Sequence, residues 1–146
     1  MEKPVKNIFV QGAIHPAFIA ESIAKHATRT NIGAHSIFLG QIRADEIDGK
    51  TVSAIDYTTY QEMALQKMHE IREEIFADFD LTCMHIHHSL GTVKVGEICL
   101  FVFTSSKHRK MAIEACNKVV ERIKSELPVW GRELFADETF QWKTNS

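Results

Sequence analysis

The chain has 146 residues, 17 of them basic and 19 acidic, which gives a formal net charge of −2 with its eight histidines neutral. This length fits a single domain, residues 1–146, that is able to bury a core of its own. Proteins that bind nucleic acid or a membrane surface through charge usually carry a strong basic excess, so the near-neutral balance argues against both classes of partner. Any anion site must then be a local cluster of basic residues.

The three cysteines, Cys83, Cys99 and Cys116, are widely spaced, form no CxxC pair and have apolar neighbours. This pattern favours buried free thiols over disulfides or metal ligands. No apolar run approaches the ~20 residues that a membrane-spanning helix needs. Residues 1–4 lack the apolar stretch of a signal peptide, so we expect a cytoplasmic protein.

The first half of the chain predicts three strands and one helix. Residues 7–11 form a short strand, and His15-Pro16 opens a helix whose apolar face extends to about Ala27. Residues 34–42 form a second strand, and a polar loop with the turn-forming pair Asp48-Gly49 follows. Residues 52–60 form the third strand, predicted to place Val52, Ala54, Asp56 and Thr58 on one face and Ile55, Tyr57 and Thr59 on the other.

The second half predicts two long helices separated by two strands. The first helix covers residues 61–79, with a buried stripe of Met63, Ala64, Met68, Ile71 and Ile75. Residues 81–88 and 97–104 form strands joined by a turn region that contains Gly91 and Gly96. The second helix covers about residues 107–126, with Ser106 as N-cap and Pro128 beyond its end, and it buries Met111, Ala115, Cys116, Val119, Val120, Ile123 and Leu127.

The chain closes with a predicted hairpin of residues 129–135 and 139–143 around Asp137. The element order is therefore β-α-β-β-α-β-β-α-β-β. Helices separated by paired strands predict an α+β domain with three helices and a mainly antiparallel sheet.

The start of the last helix carries a dense basic cluster, Lys107-His108-Arg109-Lys110. Free N–H groups and the helix dipole already favour an anion at this point, and a planar arginine fork suits phosphate or carboxylate. Basic side chains oppose the dipole here, which suggests a compensating function. The alternative is a solvated helix start.

Lys124 lies near the end of the same helix, about 40° around the helix axis from Val120 and so at the edge of the apolar stripe. Partial burial at such an edge lowers a lysine pKa and makes the amine usable as a base or nucleophile. The alternative is a lysine that extends to solvent and pairs with Glu121 or Glu126. Arg43 ends a strand where a loop begins, a common position for ligand contacts, although a solvated loop arginine looks the same in sequence.

Three closely spaced histidines, His85, His87 and His88, raise the question of a metal site. In a strand His85 and His87 share a face and His88 points away, so at most two converge. No cysteine or carboxylate stands at ligand spacing, and we expect no metal. Tyr57, Tyr60 and Met63, at the junction between the third strand and the first long helix, are predicted to build core rather than a site.

Five segments of the chain resemble the large, catalytic subunit of molybdopterin synthase, the MoaE family. They are residues 38–43 (Phe-Leu-Gly-Gln-Ile-Arg), 57–64 (Tyr-Thr-Thr-Tyr-Gln-Glu-Met-Ala), 88–97 with its two glycines, 104–109 (Thr-Ser-Ser-Lys-His-Arg) and 124–133. The resemblance extends from about Ile32 to Trp142. Each segment is weak alone, but five in order at fitting spacing are specific.

The resemblance implies a sulfur transferase of molybdenum cofactor biosynthesis, which converts cyclic pyranopterin monophosphate (precursor Z) into molybdopterin. The two sulfurs would come from the thiocarboxylated Gly-Gly C-terminus of a small ubiquitin-like carrier, MoaD. The implied assembly is a heterotetramer built on a homodimer of large subunits, and the implied fold is an α/β hammerhead. No cofactor is expected.

The resemblance also assigns roles to residues. Lys124 matches the family's catalytic lysine, acting as acid/base or as covalent partner. The implied substrate-binding positions are Gln41, Ile42, Arg43, His108, Arg109, Lys124, Gly131, Arg132 and Glu133.

One position departs from the family pattern. After Pro-x-Trp many members carry a second functional lysine, and here that position is Gly131. Arg132, Lys107 or another basic residue would supply the charge, or the enzyme works with one lysine. The competing hypothesis is a non-catalytic, MoaE-like module that binds an anion or holds a partner, with Gly131 as the mark of lost activity.

Overall fold

Eight strands and three helices alternate along residues 6–144, the part of the chain that this computed structural model describes. Residues 1–4, which gave the prediction about a signal peptide, lie outside the described residues. The elements are β1 (Phe9–Gln11), α1 (Pro16–Lys25) with a 3-10 turn (His26–Thr28), β2 (Ala34–Gln41), β3 (Glu46–Ile47), β4 (Lys50–Thr59), α2 (Gln61–Asp78), β5 (Cys83–Lys94), β6 (Ile98–Ser106), α3 (Arg109–Glu126), β7 (Val129–Phe135) and β8 (Phe140–Trp142).

The strands form one sheet in the order β2-β6-β5-β4-β7-β8, with β3 beside β4 and β1 beside β5. Among the described strands only the short β1 pairs in parallel, and the other pairs are antiparallel. The predicted α+β class with three helices and a mainly antiparallel sheet is confirmed. The predicted terminal hairpin is also confirmed, since β7 and β8 pair across the turn at Asp137.

A long bent strand replaces the turn that we predicted around Gly91. β5 continues through this glycine, which adopts φ +78°, and ends only at Lys94. Its first half pairs with β6 and its second half with β4. A glycine adopts positive φ without steric cost. β5 therefore changes direction at Gly91 and passes from β6 to β4 as its partner without ending. The bend joins the β2-β6 part of the sheet to the β4-β7-β8 part.

The two faces of the sheet have separate cores. α2 and α3 cover one face and bury most of the predicted stripes, including Ile71, Val119 and Ile123, whereas Met111 is only half-buried and Ala112 is buried in its place. The predictions that Met63 and Tyr60 are core residues are wrong, because Met63, on α2, is 61% exposed and Tyr60, just before it, is 66% exposed. α1 covers the other face through a small cluster of Ile14, Ile19, Phe101 and Phe103.

A β-bulge changes the predicted faces of β4. Its register with β7 shifts between Val52 and Ala54, so Val52 joins Ile55 and Tyr57 in the main core. The predicted pairing of Val52 with the face of Asp56 is therefore wrong. An extra residue in one strand reverses the alternation beyond it.

The start of α3 also differs from the prediction. His108 is the N-cap residue, and Ser106 instead ends β6, where its hydroxyl donates to the carbonyl oxygen of Asp80 at 2.8 Å. Gly33 packs directly against the chain between β6 and α3. Its N–H donates to the Ser106 carbonyl, and a Cβ at Gly33 would lie 2.1 Å from the carbonyl oxygen of Lys107. Among the described helices none is both long and apolar enough to cross a membrane.

Candidate active site

A cleft lies between the C-terminal end of α3 and the sheet, and we call it the lysine cleft. It consists of two adjoining hollows that share Tyr57, Lys124 and Lys143 in their walls. The larger hollow has a volume of about 250 Å³. The other residues that line the two hollows include Gln41, Ile42, Arg43, Asp45, His88, Cys99, Gly131 and Glu133. Seven parts of the chain contribute to it: β2 with the segment after it, β4, β5, β6, α3, β7 and the segment after β8.

Lys124 stands where the two hollows meet, in the last turn of α3. As a whole residue Lys124 is exposed to solvent. Its amine, however, is partly desolvated by the groups around it. This desolvation lowers the pKa of Lys124 below its ordinary value. Attraction by Cys99 opposes the shift, and repulsion by Lys143 adds to it. A lysine of lowered pKa supplies a neutral amine closer to physiological pH.

Tyr57 presents a buried phenol to the cleft. Burial, followed by its interactions with Cys99 and with the charge of Glu133, raises the pKa of Tyr57 above its ordinary value. The phenol therefore stays protonated at neutral pH and is able to donate a hydrogen bond. Tyr57 is buried, as the sequence predicted for a core residue, but it is also part of the cleft wall.

His88 forms a neutral wall beside Lys124. Its side chain is buried, which lowers the pKa of His88 to about 4, although a hydrogen bond to the Ser89 carbonyl opposes the shift. The Nδ1–H donates to that carbonyl at 2.7 Å, because a carbonyl oxygen only accepts. The ring also packs edge-on against Tyr57, with ring centroids 5.2 Å apart. An uncharged imidazole at this place avoids repulsion of the Lys124 ammonium.

Gly131 and Lys143 face each other across the β7–β8 hairpin. The Lys143 N–H donates to the Gly131 carbonyl at 2.8 Å, and both residues line the cleft. The sequence reasoning missed Lys143, although a signal existed. A hairpin centred on Asp137 places Lys143 opposite Gly131, and directly opposed residues in antiparallel strands share a face.

The end of β2 supplies three of the predicted substrate-binding residues. Gln41, Ile42 and Arg43 all line the larger hollow. Ile42 is buried, and its backbone bonds to the β5–β6 turn fix this strand end in place. The guanidinium of Arg43 is exposed and pairs with Asp45 at 3.2 Å, so it is accessible to an anionic ligand.

Glu133 and Arg132 point to opposite faces of β7. Glu133 is buried in the cleft wall beside Tyr57. Arg132 instead pairs with Asp56 at 3.1 Å and lies against the Phe140 ring at 4.6 Å. Neither hollow of the lysine cleft includes Arg132 in its wall, so the structure does not place this predicted residue with Lys124.

His108 and Arg109 lie at the other end of α3. Both are exposed, and fifteen residues separate Arg109 from Lys124. At 1.5 Å per residue this is about 22 Å along the helix axis. One chain therefore does not bring the two predicted parts of the site together.

Two other histidines, His26 in the 3-10 turn that follows α1 and His85 on β5, lie together away from the lysine cleft. One donor atom each of His26, Cys83 and His85 lies within 4.8 Å of the others, so the structure does bring a cysteine to His85, contrary to our reasoning from spacing. The two histidines already satisfy each other through an Nε2–Nε2 hydrogen bond of 3.0 Å. The Nδ1–H of His26 donates to the Ser22 carbonyl. A hydrogen-bonded pair of imidazoles accounts for this arrangement, and the expectation of no metal stays a prediction.

A roomier hollow, of about 390 Å³, lies apart from the lysine cleft. Its walls are Thr58, Thr59, Tyr60, Trp130 and Trp142, without a charged side chain. Acid–base or nucleophilic chemistry needs ionisable groups that converge, and these converge at Lys124 instead. We therefore take the smaller, polar cleft as the candidate active site.

The chain is similar to one known protein family and to curated proteins of that family. The sequence profile described as "MoaE protein" matches residues 14–126. A protein of Aedes aegypti, "Molybdopterin synthase catalytic subunit 1", is 42% identical over 116 residues, which are 77% of this chain and 74% of the mosquito protein.

Solved structures agree in fold. The structure "Molybdopterin Synthase from Staphylococcus aureus" superposes with a TM-score of 0.80 at 28% identity. The superposition covers 93% of this chain and 95% of the Staphylococcus aureus chain. A chain of the "Protein-protein complex of subunit 1 and 2 of Molybdopterin-converting factor from Helicobacter pylori" has a TM-score of 0.78 at 21% identity, with 93% and 88% covered. The second match, at this identity, supports the fold alone.

Proposed function

Because this chain belongs to the MoaE family, we infer that it works as the catalytic subunit of a molybdopterin synthase. It is a sulfur-transferring enzyme that converts cyclic pyranopterin monophosphate into molybdopterin. The observation that supports a location for this function is the partly desolvated Lys124 in a polar cleft. That the protein works in the cytoplasm and that residues 1–146 form one domain stay predictions.

The sulfur donor in this proposal is a small ubiquitin-like carrier with a thiocarboxylated Gly-Gly tail. The Helicobacter pylori protein of this fold is a complex of two subunits, which supports a second, different chain as partner. A flexible tail without side chains suits a narrow cleft. The larger hollow beside Lys124, at about 250 Å³, is slightly smaller than the roughly 300–1,000 Å³ of typical small-molecule pockets, and the second hollow extends it at Lys124.

Lys124 acts on the carbons that gain sulfur. A neutral amine acts there either as a base that removes a proton or as a nucleophile that holds the substrate, and the lowered pKa of Lys124 serves both roles. Arg43, at the rim of the same hollow, binds the substrate phosphate through its guanidinium. Tyr57, protonated and buried, donates a hydrogen bond to the bound pterin.

His108 and Arg109 serve the lysine cleft of a second copy of the chain. About 22 Å of helix separates Arg109 from Lys124, so both cannot contact one small substrate in the same chain. A homodimer with a two-fold axis brings the α3 start of one copy to the cleft of the other and makes two equal sites. The basic cluster at that helix start then completes a phosphate site across the interface.

The test uses purified protein, the thiocarboxylated carrier and cyclic pyranopterin monophosphate. Wild type is compared with Lys124→Ala and with Lys118→Ala, a matched control at an exposed position on α3. Product is read as the fluorescent pterin formed on oxidation. We expect Lys124→Ala to lower turnover at least about 100-fold while carrier binding and melting temperature are kept.

Two outcomes contradict the proposal in different ways. Wild type that binds the carrier but makes no product favours a non-catalytic scaffold. Equal turnover of Lys124→Ala and Lys118→Ala keeps the enzyme but removes Lys124 from its chemistry.

A further inference from the structure

We infer that Lys143 is the second functional lysine of this site and takes the place of the side chain that Gly131 lacks. The inference rests on the proposed function for its substrate, a phosphorylated pterin. It rests on the structure for its position, in the walls of both hollows that meet at Lys124.

The first observation is the register of the terminal hairpin. Lys143 follows β8 and bonds through its N–H to the Gly131 carbonyl. Directly opposed residues of an antiparallel pair share one face, and on β7 that face is the cleft side, where Glu133 also lies. The side chain of Lys143 therefore enters the cleft from the position opposite Gly131.

The second observation is the space at Gly131. A Cβ built on this residue would lie 3.0 Å from Ile55 Cγ2 and 3.3 Å from Tyr57 Cε1. No side chain fits at Gly131 without moving the wall of the cleft. A cationic group at this spot must come from another strand, and among the described residues the cleft walls hold only Arg43, Lys124 and Lys143 as basic side chains other than the neutral His88.

The third observation is the electrostatic effect of Lys143 on Lys124. Two ammonium groups in one cleft repel each other, so the charge on Lys143 favours the neutral form of Lys124. Lys143 lowers the pKa of Lys124 in this way, in addition to desolvation. An anionic substrate group placed between two such cations gains from both of them.

The groups that face Lys124 come from every element around it. They are Tyr57 on β4, His88 on β5, Cys99 on β6, Glu133 on β7, Arg43 and Asp45 after β2, and Lys143 after β8. Tyr57 stays protonated and His88 neutral at pH 7, so neither changes charge near neutrality. Removal of Lys143 therefore takes away a positive charge that these two groups do not replace.

The experiment compares wild type, Lys143→Met and Lys118→Met, the last as a control of equal chemistry on the exposed side of α3. We expect Lys143→Met to raise KM for cyclic pyranopterin monophosphate about tenfold, the effect of one lost charge-assisted hydrogen bond. The rising limb of the pH profile of kcat should also move to higher pH, because the pKa of Lys124 rises when Lys143 is removed. Lys143→Arg should restore both values at least in part, which a merely structural role would not predict.

A second measurement does not depend on turnover. Carbon-13 signals of the lysine Cε atoms are titrated in wild type and in Lys143→Met, with the Lys124 signal identified by its loss in Lys124→Ala. A higher Lys124 pKa in Lys143→Met supports the inference even if wild type makes no product. The absence of product would contradict only the proposed function. An unchanged KM, pH profile and Lys124 pKa in a folded Lys143→Met protein would overturn the inference.

Discussion

The two ends of α3 carry basic residues in opposite circumstances. At its start Arg109 and Lys110 follow Lys107 and His108, all exposed, with no acidic residue in the first turn and against the helix dipole. At its end Lys124 is placed as the dipole favours, and although the residue is also exposed, the cleft partly desolvates its amine and lowers the pKa of Lys124. The first arrangement suits the capture of an anion from water. The second suits chemistry, because a lowered pKa requires that neighbouring groups displace water.

The difference teaches that density of charge in the sequence is a poor guide to the proposed reactive centre at Lys124. The helix start looks more conspicuous because four residues stand side by side. The cleft at the helix end gathers its groups from seven parts of the chain, each of which contributes one or a few residues.

The largest expected effect comes from mixing subunits. Arg109→Ala and Lys124→Ala should each lower turnover at least about 100-fold as pure proteins. A heterodimer of the two variants, isolated with two different affinity tags, should regain about half of wild-type activity, because one of its two sites then holds both residues. A heterodimer as inactive as its parents would show that the two ends of α3 do not meet across an interface.

The next effect concerns acid stability at the cleft end. The folded-state pKa of His88 is about 4, below its unfolded value of about 6.5, so the unfolded chain binds more protons between these values. The stabilisation is complete above pH 6.5 and is lost as pH falls toward 4, about 2 kcal/mol of it between pH 7 and 5. Urea unfolding at pH 7, 6 and 5 should show a shallower pH dependence for His88→Gln than for wild type.

His85 has a pKa lowered in the same direction, but it is present in both proteins and cancels in that comparison. Identical pH dependence of wild type and His88→Gln would contradict the assignment of a buried, neutral His88.

The smallest expected effects compare two glycines, one at each end of α3. Gly33→Ala places a Cβ against the Lys107 carbonyl oxygen at 2.1 Å, and a backbone atom cannot rotate away. We expect a loss of about 2 kcal/mol in the free energy of unfolding, with a melting temperature several degrees lower. Gly131→Ala should cost about 1 kcal/mol, since its nearest neighbours are side-chain atoms of Ile55 and Tyr57, which adjust more easily. A larger loss for Gly131→Ala than for Gly33→Ala, in thermal or urea unfolding, would reverse the order and disprove this explanation.

Most elements of the fold could be predicted from the sequence because each depends on neighbours a few residues away. The helical periodicity of apolar residues such as Met68, Ile71 and Ile75 predicted α2, and Pro128 predicted the end of α3. The edge position of Lys124 on α3 followed from the same periodicity. Apart from the exposed Met63 and Tyr60, the errors occurred where partners far along the chain decide: the continuation of β5 through Gly91, the bulge in β4, and the packing of Gly33 against the start of α3.

The sequence by itself determined the α+β class, the family motifs and the residue types of the site, since composition and periodicity are properties of the chain. Only the tertiary structure decided which of those residues meet. It brought the end of β2, with Arg43, to the cleft of Lys124 through the pairing of β2 with β6, and it placed Tyr57 of β4 and His88 of β5 in the walls of the same cleft. The physical reason is that strand register and helix packing between distant segments fix where each side chain points, and no local pattern contains that information.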